Sequence, residues 1–186
     1  PGNPALGGVP FAEYCARQAQ HHKAEVAALL DTAHFIRRAT DLYGYCNFIC
    51  DTSGSICEVV DPGDPHDPVL TALSQNLLMV WIEGSEAHRD ALIARFDRAP
   101  KPMYYQPAFL DQVWAGFLEK QGCDEASVNP DAFLRYGYAR LLAHRQPRYA
   151  AMSRWGVSVT ADEVALVKTP DDFNALIARA IGRKRG

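Results

Sequence analysis

Asp51 closes the apolar run Tyr45 to Cys50 and is followed at once by Thr52, Ser53, Gly54 and Ser55. A carboxylate at the end of a run that reads as a buried strand is costly to desolvate unless something uses it. A Mg²⁺ ion held through water beside a nucleotide is a common use. The hydroxyls of Thr52 and Ser53, with the N–H groups of the turn, could then face an anion. The other reading is local: an Asp that caps its own turn, while the small polar residues let the chain reverse. The residues alone leave both open.

Arg95, Arg98 and Lys101 form a second group, at the end of one helix and the start of a proline-bracketed loop. Two guanidiniums and an ammonium there could close over a polyphosphate. Equally, cations at a helix C-terminus simply favour the macrodipole. A third basic set, Arg135, Arg140, Arg145, Arg148 and Arg154, is spread over two helices and reads as a solvated face. The cysteines Cys46, Cys50 and Cys57 are close together but lack C-x-x-C spacing, so with Cys15 and Cys123 they read as free thiols and not as metal ligands. His21, His22 and His34 read as solvated or capping residues. No G-x-x-x-x-G-K-[ST], G-x-G-x-x-G or G-x-S-x-G pattern occurs.

The elements that must position these residues are mostly helical. Phe11 to about Leu42 has no Pro and no Gly, with apolar residues at helical spacing from Tyr14 to Ile36; this is a long helix, or two with a kink. Tyr45–Cys50 and Asn76–Glu83 read as strands buried on both faces, the second followed by Ser85 as a helix cap. Further helices are expected at about 85–98, 108–121, 129–144 and 147–156, short strands near 157–159 and 164–167, and a last helix from Pro170. Strands of this type alternating with helices imply a three-layer α/β fold, a mostly parallel sheet flanked by helices. Residues 1–10 read as an arm or loop, and 11–186 as one domain.

With 186 residues, 48% of them hydrophobic, the chain can bury one core. A net charge of −3 argues against non-specific binding to nucleic acid. The longest uninterrupted apolar run, Leu77 to Ile82, is far short of the roughly 20 residues that cross a bilayer, and no secretory leader opens the chain, so a cytoplasmic location is expected.

Four stretches together resemble a family of uncharacterised bacterial ATPases that look like P-loop kinases: F-I-C-D-T-S-G-S-I-C-E, L-L-M-V-W-I-E, L-I-A-R-F-D-R-A-P-K-P-M-Y-Y-Q-P-A-F-L and R-Y-A-A-M-S-R-W-G-V-S-V-T-A-D-E-V. The most specific is P-K-P-M-Y-Y. The resemblance implies a P-loop-type fold whose phosphate loop would lie upstream, so the chain is expected to be the C-terminal portion of such a protein. It implies ATP and Mg²⁺ as cofactors, Asp51 in the Walker B position as metal carboxylate, and Arg95, Arg98 and Lys101 as lid residues. Thr52 and Ser53 would line the nucleotide, and an unidentified small molecule would accept the phosphoryl group. Without its phosphate loop the isolated chain is expected to be inactive, and open sheet edges would favour self-association. The alternative is a non-catalytic module that binds a protein partner through an aromatic surface at Tyr104, Tyr105, Phe109 and Trp114, although Phe109 and Trp114 read by default as core anchors.

Overall fold

The structure, a computed structural model, describes residues 1–185. The expected long helix is two, α1 (Phe11–Leu30) and α2 (Thr32–Tyr43), separated at Asp31, where the Thr32 hydroxyl donates to the Leu29 carbonyl. Gly44, at φ 65°, closes α2 in the left-handed region, where glycine has no Cβ to strain. A four-residue helix, α3 (Ile56–Val59), precedes α4 (Pro68–Asn76), capped by Asp67. Strand β1 (Met79–Glu83) leads to α5 (Glu86–Arg98), whose N-cap Ser85 forms a reciprocal box with His88. Helices α6 (Pro107–Gln121) and α7 (Pro130–Met152) follow. Strand β2 (Gly156–Thr160), α8 (Ala161–Ala165) and α9 (Pro170–Arg185) complete the chain.

The fold is helix-rich α/β with a small parallel sheet of two strands, Met79 standing opposite Gly156 and Glu83 opposite Thr160. Gly156 is required there: a Cβ would lie 2.0 Å from the Met79 carbonyl oxygen. Two expected strands do not form. Tyr45–Cys50 is irregular, with Ile49 90% exposed, because no neighbouring strand among the described residues takes up its backbone groups. At 164–167 the capping box of Thr160 and Glu163 starts α8 instead, and Val167 ends in a turn bond to Val164.

Pro147 was expected to divide two helices, yet α7 runs through it. A proline inside a helix costs about 3 kcal/mol and loses one backbone bond. Here the helix is pinned on both sides of it, by Arg145 and by Arg148 and Tyr149, each bonded to the segment 54–60 or to Tyr104. The opening segment also has more structure than a free arm. Gly2 N–H donates to Val9 O and Asn3 N–H to Val128 O, docking it against the start of α7.

Three apolar clusters make up the interior. The largest joins α1, α6 and α7 through Tyr14, Trp114, Phe117, Phe133 and Leu141, with Phe11 stacked on Trp114 at 4.9 Å between ring centroids. A second joins α1, α3 and α4 around Leu29, Cys57 and Leu70. The third packs α9 on β2 through Leu176 and Ala180. All five cysteines stand as free thiols. Among the described residues no helix is long and apolar enough to cross a membrane.

Candidate functional site

Helix α3 is too short to satisfy its own last carbonyls, and α7 does so with side chains. Arg148 donates from Nε to Cys57 O at 2.6 Å and from Nη2 to Val60 O at 2.9 Å, while Gln106 reaches Glu58 O. The Glu58 carboxylate is buried and accepts from Arg145 Nε at 2.8 Å; Arg145 Nη2 donates to Tyr104 O at 3.0 Å. Burial is the largest single influence on Arg145 and opposes its charge, but the Glu58 hydrogen bond together with the neighbouring Tyr149, Cys57 and Glu58 charges outweighs it and raises the guanidinium pKa. His144 lies 3.9 Å from the second Glu58 oxygen, and burial, partly offset by that carboxylate, holds its pKa below the ordinary value.

Arg145 and Arg148, expected on a solvated face, are therefore the anchors of this joint. The signal was in the spacing: Tyr138, Leu141, Arg145, Arg148, Tyr149 and Met152 recur at three and four residues, placing the two arginines on the apolar stripe of the helix.

Just before α3 stands the turn Asp51–Ser55. Asp51 is exposed and lies in irregular chain, so the expected carboxylate at the end of a buried strand is not what forms. The physical reason is the missing ladder along 45–50. Its Oδ1 accepts from Ser53 N–H at 2.9 Å, the turn-capping geometry of the local reading. Ser53 has φ 55°, a left-handed conformation uncommon for serine. Its hydroxyl meets that of Ser55 at 2.8 Å; Ser55 Oγ donates to Glu25 Oε1 at 2.6 Å, and Tyr149 OH donates to Gly54 O at 2.7 Å. The turn is thus tied to α1 and α7 through Ser55 and Gly54, leaving Asp51 and Thr52 toward open space.

Two large cavities flank this turn, and Ser53 lines both. The first, about 660 Å³, is bounded by α1, the turn and the loop Pro100–Tyr104, with Lys101 and Arg145 on its wall. The second, about 750 Å³, runs from Phe48–Ser53 to Leu77–Ile82 and the start of β2, so Asp51 and Thr52 line it. Of the six residues singled out in the sequence, the structure brings Asp51, Thr52 and Ser53 together along one cavity and Lys101 to the other. Arg95 and Arg98 line neither; both are exposed on α5.

Tyr104 and Tyr105 do not form an exposed aromatic surface, while Trp114 and Phe109 belong to the core as their default reading has it. Tyr105, Trp114 and Tyr104 are buried, Phe109 is half-buried against His144, and their bulk is taken up by the core. The Tyr104 hydroxyl meets His22 Nδ1 at 2.8 Å, and burial pushes its pKa up to about 12.

Among the described residues no group of three or more His, Cys, Asp or Glu side chains is placed to hold a metal ion. A Mg²⁺ ion beside phosphates needs less, since it keeps several waters and takes one or two carboxylates. Asp51 fits that requirement: one oxygen is held by Ser53 N–H, and the other has no protein partner among the described residues. Comparison with known proteins finds no matching family model, no similar curated protein and no similar solved structure.

Proposed function

We propose that this chain is the C-terminal portion of a P-loop-type ATPase or small-molecule kinase, and that it contributes a metal carboxylate and cationic groups to phosphoryl transfer. The observation that carries the reading is the Asp51–Ser55 turn: an exposed carboxylate, two hydroxyls and a left-handed serine, set between two open cavities of nucleotide size. Strained residues of this kind concentrate at functional positions. Asp51 would hold the ion through water, with Thr52 and Ser53 beside it. When bound, Mg²⁺ would neutralise charge on the phosphate oxygens. Lys101 would face those oxygens from across the turn; Arg95 and Arg98 would reach them only if the 99–106 loop carried the end of α5 inward.

The reading also requires a wider sheet, with helices on both of its faces in three layers. β1 supports this. Its partner β2 is buried, and Lys184 and Arg183 of α9 donate to the carbonyls of Gly156 and Ser158. β1 is half-exposed and pairs on one side only among the described residues. Successive strand residues point to opposite faces, yet Leu77 to Ile82 without interruption line the second cavity, which therefore follows the strand's edge. Added strands would pair along the β1 edge, and the end of the cavity at Asp51–Ser53 would remain for the ion. Such strands could come from the phosphate-loop half of the protein.

Titration with Mg-ATP of the whole protein carrying this chain is the test. An outer-sphere metal partner is worth about 10- to 100-fold in affinity, so Asp51→Ala should weaken Mg-ATP binding by at least about tenfold. Unchanged affinity contradicts the assignment.

A further inference from the structure

We propose that the cavity between α1, the Pro100–Tyr104 loop and the Ser53–Ser55 turn is a binding site for a small organic oxyanion, a phosphate or carboxylate carried on a compact apolar body. The inference shares Lys101 and Ser53 with the nucleotide reading but does not depend on the metal carboxylate, because Asp51 does not line this cavity.

The anchor is Arg145. It is 3% exposed, and two of its three nitrogens are committed, Nε to Glu58 and Nη2 to Tyr104 O. The third, Nη1, lies against Gly54, where a Cβ would stand 3.3 Å away. The Tyr149 hydroxyl also interacts with the guanidinium while itself donating to Gly54 O, and Nη1 has no other hydrogen bond among the described residues. Nη1 carries two hydrogens, so at least one remains for a ligand. A guanidinium held rigid by Glu58 and left with a donor on a cavity wall is preorganised for an anion.

The surroundings agree in charge. Lys101 has no ion-pair partner among the described residues, and Arg17, paired with Glu13, adds a second cation to the lining. The acidic residue on the wall, Asp131, is paired with Arg135 at 3.8 Å. The Gly54 N–H, on the same wall, meets no acceptor among the described residues. Leu6, Val9, Met103 and Leu134 give the cavity an apolar side, while Gln18, His21, Ser53 and Ser55 add further polar groups. A volume of about 660 Å³ exceeds what an inorganic ion fills and suits a small organic molecule.

The experiment is calorimetric titration of the whole protein in EDTA with phenyl phosphate, benzoate and inorganic phosphate. At least one of the two aromatic anions should bind saturably and more tightly than inorganic phosphate, and the tighter of the two names the anionic group. Lys101→Gln should weaken that binding about tenfold. Gly54→Val should abolish it by filling the space at Nη1, and Asp51→Asn should leave it unchanged. Should Gly54→Val melt early, Lys101→Gln decides alone, since Lys101 is exposed. Binding of neither aromatic anion overturns the proposal, as does inorganic phosphate binding as tightly. Full affinity in Lys101→Gln, or a loss confined to Asp51→Asn, overturns it too. The absence of metal keeps these outcomes separate from the Mg-ATP assignment.

Discussion

Residues 51–55 and 56–60 are neighbours in the chain and differ in how their polar groups are settled. In the second segment most polar groups are met by side chains from elsewhere in the fold: Arg148 serves two carbonyls, Gln106 serves Glu58 O, Arg145 pairs with one Glu58 oxygen, and Cys57 Sγ is turned inward to Gly54 O, while the second Glu58 oxygen stays without a hydrogen bond among the described residues. In the first, Asp51 and Thr52 face open space, and the Gly54 N–H and one arginine nitrogen are left over at the cavity. The same helix supplies both arrangements, Arg145 closing one and opening onto the other. The segment braced by the two arginines is structural, and the open one is where a ligand has something to gain.

The largest expected effect breaks the braced side. Arg145→Met leaves the Glu58 carboxylate buried without its partner, which costs about 3–5 kcal/mol. Denaturant unfolding should show that loss, and the double variant Arg145→Met with Glu58→Met should recover most of it. On the open side, Asp51→Ala should move the same midpoint by no more than about 0.5 kcal/mol, as for an exposed turn residue.

A smaller effect concerns Cys57. Burial is the main cause that raises its thiol from 9.0 to about 11, with the nearby Arg145 charge pulling the other way. The folded thiol therefore keeps its proton over a range in which the unfolded one ionises, and stability is lost as pH rises from about 9, levelling off above about 11. Cys57→Ala should flatten that alkaline decline, and unfolding followed from pH 8 to 11 checks it.

Much of this architecture is legible in the residues because local chemistry decides it. Ser85 and Asn129 cap helices where their hydroxyl and amide oxygens require, Gly122 stops α6, and the break near Asp31 falls within the stretch read as one helix or two. What long-range contacts decide was not legible. Pro147 reads as a stop until Arg145, Arg148 and Tyr149 are seen to pin the helix around it. Tyr45–Cys50 reads as a buried strand because its composition suits one, but a strand needs a neighbour to take its backbone bonds, and none is among the described residues. Of the candidate site, Asp51, Thr52 and Ser53 were identifiable from small polar residues after an apolar run. Arg145 was masked by the other arginines of its helix, and its role depends on Glu58, 87 residues away in sequence.

The central claim is that the Asp51–Ser55 turn faces a metal–nucleotide complex. Nuclear magnetic resonance of the whole protein with ATP, Mn²⁺ replacing Mg²⁺, tests it most directly, since the paramagnetic ion broadens the amides nearest to it. The account predicts that broadening is strongest at residues 51–55 and disappears in Asp51→Ala. Broadening centred elsewhere, or unaffected by that substitution, would contradict it.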